Sequence, residues 1–209
     1  MPARVAITSG GPGKTLTMDA QFLFRFVGEV RRECRLSRLA NTELRGALAA
    51  LDPERTAFFV RALLTHATAV SRLLWPDRPA AAPRGETLRQ ALNVDASSPI
   101  RLPGLLKHVF QPDEAFETWL HRLPTPDYLD FNLMPAGTLA GSRQDTFQAS
   151  LDPDTLEFNL RGDTANLART SEALLSRNYA VAKGGHCLEV MEGCEIDAPI
   201  TPGEPVTKQ

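Results

Sequence analysis

Gly13, Lys14 and Thr15 close the stretch ITSGGPGKT, Ile7 to Thr15, and in that order they form the second half of a phosphate-binding loop. In such a loop backbone N–H groups curl round phosphates and the lysine reaches the outer oxygens. The first glycine of the pattern belongs at position 8, where this chain carries Thr8. A loop of this kind also sits in a parallel sheet, with strands and helices in alternation. After Thr15 the sequence runs in helical periods, with no apolar strand ending in an aspartate to hold magnesium. A nucleotide hydrolase is therefore the remotest reading. Gly10 to Thr15 reads as part of a Gly/Pro-rich N-terminal tail, and no cofactor is expected.

Other residue types that could do chemistry are scattered. His186, Cys187 and Cys194 are loosely spaced and lack a fourth ligand, whereas zinc sites use tight cysteine pairs. No metal is expected. Arg31, Arg35 and Arg38 step by four and three residues, a stripe along one helical face. That stripe is a candidate binding surface for RNA phosphates or an acidic partner. The bland alternative is a solvated face softened by Glu29 and Glu33. No aromatics interleave with it, so base stacking is not indicated. His66 and His108 both lie among apolar helical positions and read as packed histidines, with no acidic partner apparent from the sequence. Asp113 and Glu114 follow Pro112, where a helix dipole favours acids.

Composition narrows the class. The chain has 209 residues, 43% hydrophobic and 23% charged, as in an ordinary globular protein with one domain. Net charge is −2, which supplies no overall field for nucleic acid or an anionic membrane. No signal-like leader and no apolar run long enough for a bilayer are read, and the three cysteines argue against a disulfide framework. A cytoplasmic location is expected.

The elements that must position these residues are mostly helical. A first helix is predicted from a Thr17 N-cap with Asp19 in its first turn; Leu23, Val27, Val30 and Cys34 form its buried face. Phe22, Phe24 and Phe26 are expected to thicken that face. Asp52-Pro53-Glu54 announces a second helix with a stripe of Phe59, Leu63, Ala67, Val70 and Leu74, ended by Pro76. Residues 76–85 read as an irregular connection, followed by a short helical segment from Glu86 to Asn93. Pro103 opens another helix, which Pro112 should kink or split. From Asp145 to Asp163 the period alternates around Asp152-Pro153-Asp154, a β-hairpin. Asp163 is expected to cap a final helix reaching about Lys183, stopped by Gly184-Gly185. Residues 1–17 and 185–209 read as flexible tails around one domain, 18–184.

Four stretches together resemble bacterial proteins of the HEPN superfamily (higher eukaryote and prokaryote nucleotide-binding domains). They are AVSRLLWP (Ala69–Pro76), LLKHVFQPDEAFETW (Leu105–Trp119), YLDFNLMP (Tyr128–Pro135) and LDPDTLEFNLRGD (Leu151–Asp163). The resemblance covers roughly residues 18–183. It implies an up-and-down bundle of about four helices, often a homodimer, and many superfamily members are metal-independent endoribonucleases. Their motif pairs an arginine, which steadies the scissile phosphate, with a histidine that handles protons. Laid on this chain, the motif arginine falls on Leu106, the polar residue on Lys107, the second histidine on Gln111 and a later arginine on Ala115. Only His108 keeps its residue type. Arg101, seven residues earlier, could share a helical face with His108, but Pro103 and Gly104 place it outside the helix. Asp130 and Asn132 match a D-x-N pair of the family, with turn hydrogen bonding as the plain alternative.

These readings converge on a mainly α protein: a HEPN-like up-and-down helix bundle with an appended C-terminal β-hairpin and final helix. The function expected is a catalytically degenerate HEPN-like binding or accessory protein, working with a second copy or another protein. The alternative is a metal-independent endoribonuclease of toxin or defence type using His108 with Arg101.

Overall fold

The computed structural model describes residues 20–123, 128–135 and 147–183. The Gly10–Thr15 stretch, the Thr17 cap with Asp19, both expected tails and His186, Cys187 and Cys194 lie outside them.

Helix α1 (Ala20–Ala49) and helix α2 (Pro53–Leu74) form a hairpin joined by a three-residue turn. The α2 start follows its sequence signal. Asp52 is extended, its carboxylate accepts from the Arg55 N–H, and Pro53 occupies the first turn where no N–H is needed. Leu63, Ala67, Val70 and Leu74 are buried along one stripe. By length and composition α2 is apolar enough to cross a bilayer, with a mean hydropathy of 1.2, contrary to the expectation that no such run exists. Here its apolar stripe packs within the core.

On α1, Val30 and Cys34 are buried, with Leu23, Phe26 and Val27 partly so. Burial pushes the Cys34 thiol up to about 12, so it is an inert core group. Phe22 and Phe24 depart from expectation: they are 61% and 40% exposed. At about 100° per residue each is swung away from the Leu23–Val27–Val30 line, one to either side.

The connection after Pro76 is more ordered than its prolines and alanines imply. It contains a 3₁₀ turn at Pro79–Ala81, and helix α3 (Ala82–Ala91) begins four residues before the predicted segment. Pro83 falls in the first turn of α3, where proline is well tolerated. Gly85 is required by the close crossing: a Cβ there would lie 2.5 Å from Pro76 Cδ and 2.7 Å from the Leu74 carbonyl oxygen.

Pro103 opens α4 (Pro103–Phe110), and Pro112 splits the segment, giving α5 (Pro112–Leu120). Gln111 between them leaves the helical region, with φ −139° and ψ 59°, because the proline ring disfavours a helical residue before it.

The expected hairpin is present but belongs to a larger unit. Strands β1 (Leu129–Leu133), β2 (Phe147–Leu151), β3 (Glu157–Leu160) and β4 (Asp163–Asn166) form one sheet in sequence order. β1 runs parallel to β2, and the remaining pairs are antiparallel. Asp163 therefore begins a strand instead of capping the last helix. That helix, α6 (Leu167–Lys183), is capped by Asn166, whose Oδ1 accepts from the Arg169 N–H at 2.9 Å.

One core joins helices and sheet. Leu44, Leu63, Ala67 and Leu88 from α1 to α3 are continuous with Leu105, Leu151, Phe158 and Leu174. α6 returns to pack on α1, where the Ser171 hydroxyl meets Asn41 Oδ1 at 3.3 Å.

Candidate functional site

The segment before α4 is pinned on both sides. The Leu102 N–H donates to Ser71 Oγ at 3.1 Å, the Thr170 hydroxyl donates to the Pro99 carbonyl at 3.3 Å, and Ile100 is fully buried. This fixes where α4 starts and which face it turns to the sheet. Gly104, Lys107 and His108 are spaced by three and four residues, so they share that face.

Asp163 of β4 docks there. Its Oδ2 accepts from His108 Nε2 at 2.7 Å and from Lys107 Nζ at 2.8 Å. A Cβ on residue 104 would stand 2.7 Å from Asp163 Oδ1, so only glycine admits the carboxylate at this distance. The acidic partner that the sequence did not offer His108 thus comes from 55 residues downstream.

The charges settle as ionised Asp163 beside neutral His108. Burial lowers the His108 pKa and is the largest influence; the bond and charge of Asp163 raise it, and the charges of Lys107 and Arg161 lower it again. Burial alone would raise the Asp163 carboxyl, but hydrogen bonds and charge from Lys107 and His108 outweigh it and hold it below the usual range. A neutral ring donating from Nε2 leaves a lone pair on Nδ1. That atom is buried with no hydrogen-bond partner among the described residues.

Next to this dyad lies a pocket of about 190 Å³ lined in part by Lys107, His108, Gln111, Thr118, Trp119 and Arg161. Arg161 comes from the β3–β4 turn. Leu160 pairs with Asp163, so the loop is just Arg161-Gly162, with φ of 54° and 92°. Two positive φ values mark the turn that follows the natural twist of a hairpin, in which asparagine or glycine is the usual first residue. Arginine there pays a backbone penalty, and its side chain is taken inward to 8% exposure. Its Nη1 donates to the Pro112 carbonyl at 2.9 Å and its guanidinium lies 4.8 Å from the Phe116 ring centre. Phe116, Trp119 and Tyr128 contact one another, with ring centres 5.3–6.0 Å apart. Among the described residues Arg161 makes no ion pair, and its Nε is buried without an acceptor.

The sequence candidates scatter relative to this site. His108 is in it, buried and bonded once. Arg101 is exposed in the loop before α4 and lines no part of the pocket. Arg35 and Arg38 are exposed and Arg31 is half-buried along α1, away from the pocket lining. Glu33 does not soften that stripe. It is buried on another side of α1 and holds His66 Nδ1 at 2.8 Å, so His66 also has the acidic partner that was not foreseen. Asp130 and Asn132 lie on β1, exposed and half-buried. Among the described residues no cluster of three or more His, Cys, Asp or Glu could hold a metal.

Lys107, Asp163 and Arg161 were missed as site residues. The Arg161-Gly162 dipeptide at the end of an alternating run was a legible turn signal, but nothing local showed the arginine folding inward. No protein-family model, curated protein or solved structure matches the chain.

Proposed function

We propose that this chain is a HEPN-like protein whose nuclease motif has degenerated and which works by binding, in the cytoplasm, as a homodimer or with a protein partner. The family part of the reading rests on the resemblance of the four sequence stretches, and the partner follows from that family. The observation that carries binding over catalysis is the state of His108. Its side chain is 1% exposed, Nε2 is occupied by Asp163, and Nδ1 is enclosed. A general acid or base must come within about 3 Å of the proton it moves, and an enclosed ring offers a substrate no such approach. Arg101, the candidate phosphate-steadying arginine, stands outside the helix and outside the pocket.

A second reading, a metal-independent endoribonuclease using His108, is supported by one arrangement. Asp163 orients the imidazole while Lys107 and Arg161 line the same pocket, a set suited to proton transfer beside a phosphate. That reading requires the ring to become accessible when substrate arrives. An RNA-cleavage assay in EDTA with wild type and His108→Ala separates the two. Binding predicts no difference between the proteins; cleavage by wild type that vanishes in the variant overturns it.

A further inference from the structure

Arg161 is the feature of this molecule with an unmet need. A buried guanidinium is normally paired with a carboxylate or another anion, because removing its charge from water costs several kcal/mol. Arg161 has one backbone carbonyl and one aromatic face, an Nε with no acceptor, and no ion pair among the described residues. Burial lowers its pKa, and the charge of Arg61 lowers it further.

The neighbouring charges do not fill the gap. Lys107 and Asp163 neutralise each other at 2.8 Å. Glu114 and Arg122, both exposed on the pocket lining, carry opposite charges into solvent. His108 is neutral beside its carboxylate, so Arg161 is the uncompensated charge on the pocket lining, and the nearby charge of Arg61 adds to the positive field around it. The wall beside it is apolar, from Ala115 and the Trp119 ring, while Thr118 and Gln111 add polar groups. At about 190 Å³ the space is below the roughly 300–1,000 Å³ of pockets that take drug-sized ligands, which limits the guest to a small body.

The geometry points to a binding site for a small monoanionic carboxylate, with its oxygens on Arg161 and an apolar or aromatic body against Ala115 and Trp119. A planar carboxylate matches the flat guanidinium edge, and the Ala115 and Trp119 wall suits an apolar body attached to it. This inference names a ligand class for the binding reading above and rests on it.

Thermal unfolding of the full chain in sodium benzoate, acetate or phosphate, against chloride at equal ionic strength, tests it. Benzoate at ten times its Kd should raise Tm by about 3–6 °C. Arg161→Met should abolish the shift. Because that change reaches a buried position, Thr118→Glu provides the second variant: an exposed residue of the pocket lining gains a tethered carboxylate that competes for Arg161. It too should abolish the shift while circular dichroism remains that of wild type. No benzoate shift, a shift surviving either variant, or a larger shift with phosphate overturns the inference. Cleavage of RNA would sink the binding reading itself, whereas benzoate failure without cleavage sinks only the ligand.

Discussion

Asp163→Ala strikes the contact that ties the sheet to α4. The His108 ring is 1% exposed and bonded only through Nε2, so the variant leaves both ring nitrogens buried without partners. A stranded buried polar group costs about 1–3 kcal/mol. The Lys107–Asp163 pair adds at most about 1 kcal/mol, because the lysine side chain is 43% exposed and screened by water. The expected loss is about 2–3 kcal/mol, read as a lower urea midpoint at unchanged slope. The sharper test is the cycle with His108→Phe, which removes the needy ring and restores apolar contact. Once the ring is gone, Asp163→Ala should cost much less, giving a coupling energy of about 1–2 kcal/mol. A single-variant loss below about 0.5 kcal/mol, the size of an ordinary surface change, would refute the reasoning. So would additivity of the two changes.

Two further outcomes follow from the same packing. His108 has a folded-state pKa below its ordinary 6.5, so its stabilisation is complete above that value and is lost as pH falls through 6.5 towards the folded pKa. Urea midpoints from pH 7.5 to 5 should therefore decline more steeply for wild type than for His108→Phe; parallel profiles would contradict the assignment. Glycine substitutions should divide by sign. Gly85→Ala should lose about 1–3 kcal/mol against the Pro76 ring and the Leu74 carbonyl, despite better helix propensity. Gly46→Ala, whose Cβ would meet nothing within 4 Å, should gain about 0.5–1 kcal/mol in calorimetry or urea unfolding.

Local signals were legible and non-local ones were not. Asp52-Pro53-Glu54, Pro103 and Pro112 each act within one helical turn, and each acted as its chemistry requires. The β2–β3 hairpin was equally plain, because Asp152 closes its own turn by accepting from the Asp154 and Thr155 N–H groups. β1 escaped notice since LDFNL is short and its partner lies across a parallel connection. Asp163 was misplaced because an aspartate before an apolar run is a good N-cap; the tertiary pull of His108 and Lys107 outweighed that preference. α3 was started late because proline and glycine in APRG resemble a breaker, whereas proline is harmless in a first turn. The buried guanidinium of Arg161 depends on a wall supplied by α5, which no window of its own sequence contains.

The packing of α6 on α1 has a consequence for synthesis. Asn41 and Ser171 are 130 residues apart. At about 5–20 residues per second, the helix that covers α1 emerges about 7–26 s after the side chains it must cover. The α1–α2 hairpin, built on near-neighbour contacts, can assemble in that interval. Its remaining flank, with Asn41 uncovered, must wait on the ribosome in contact with water or a chaperone until α6 arrives.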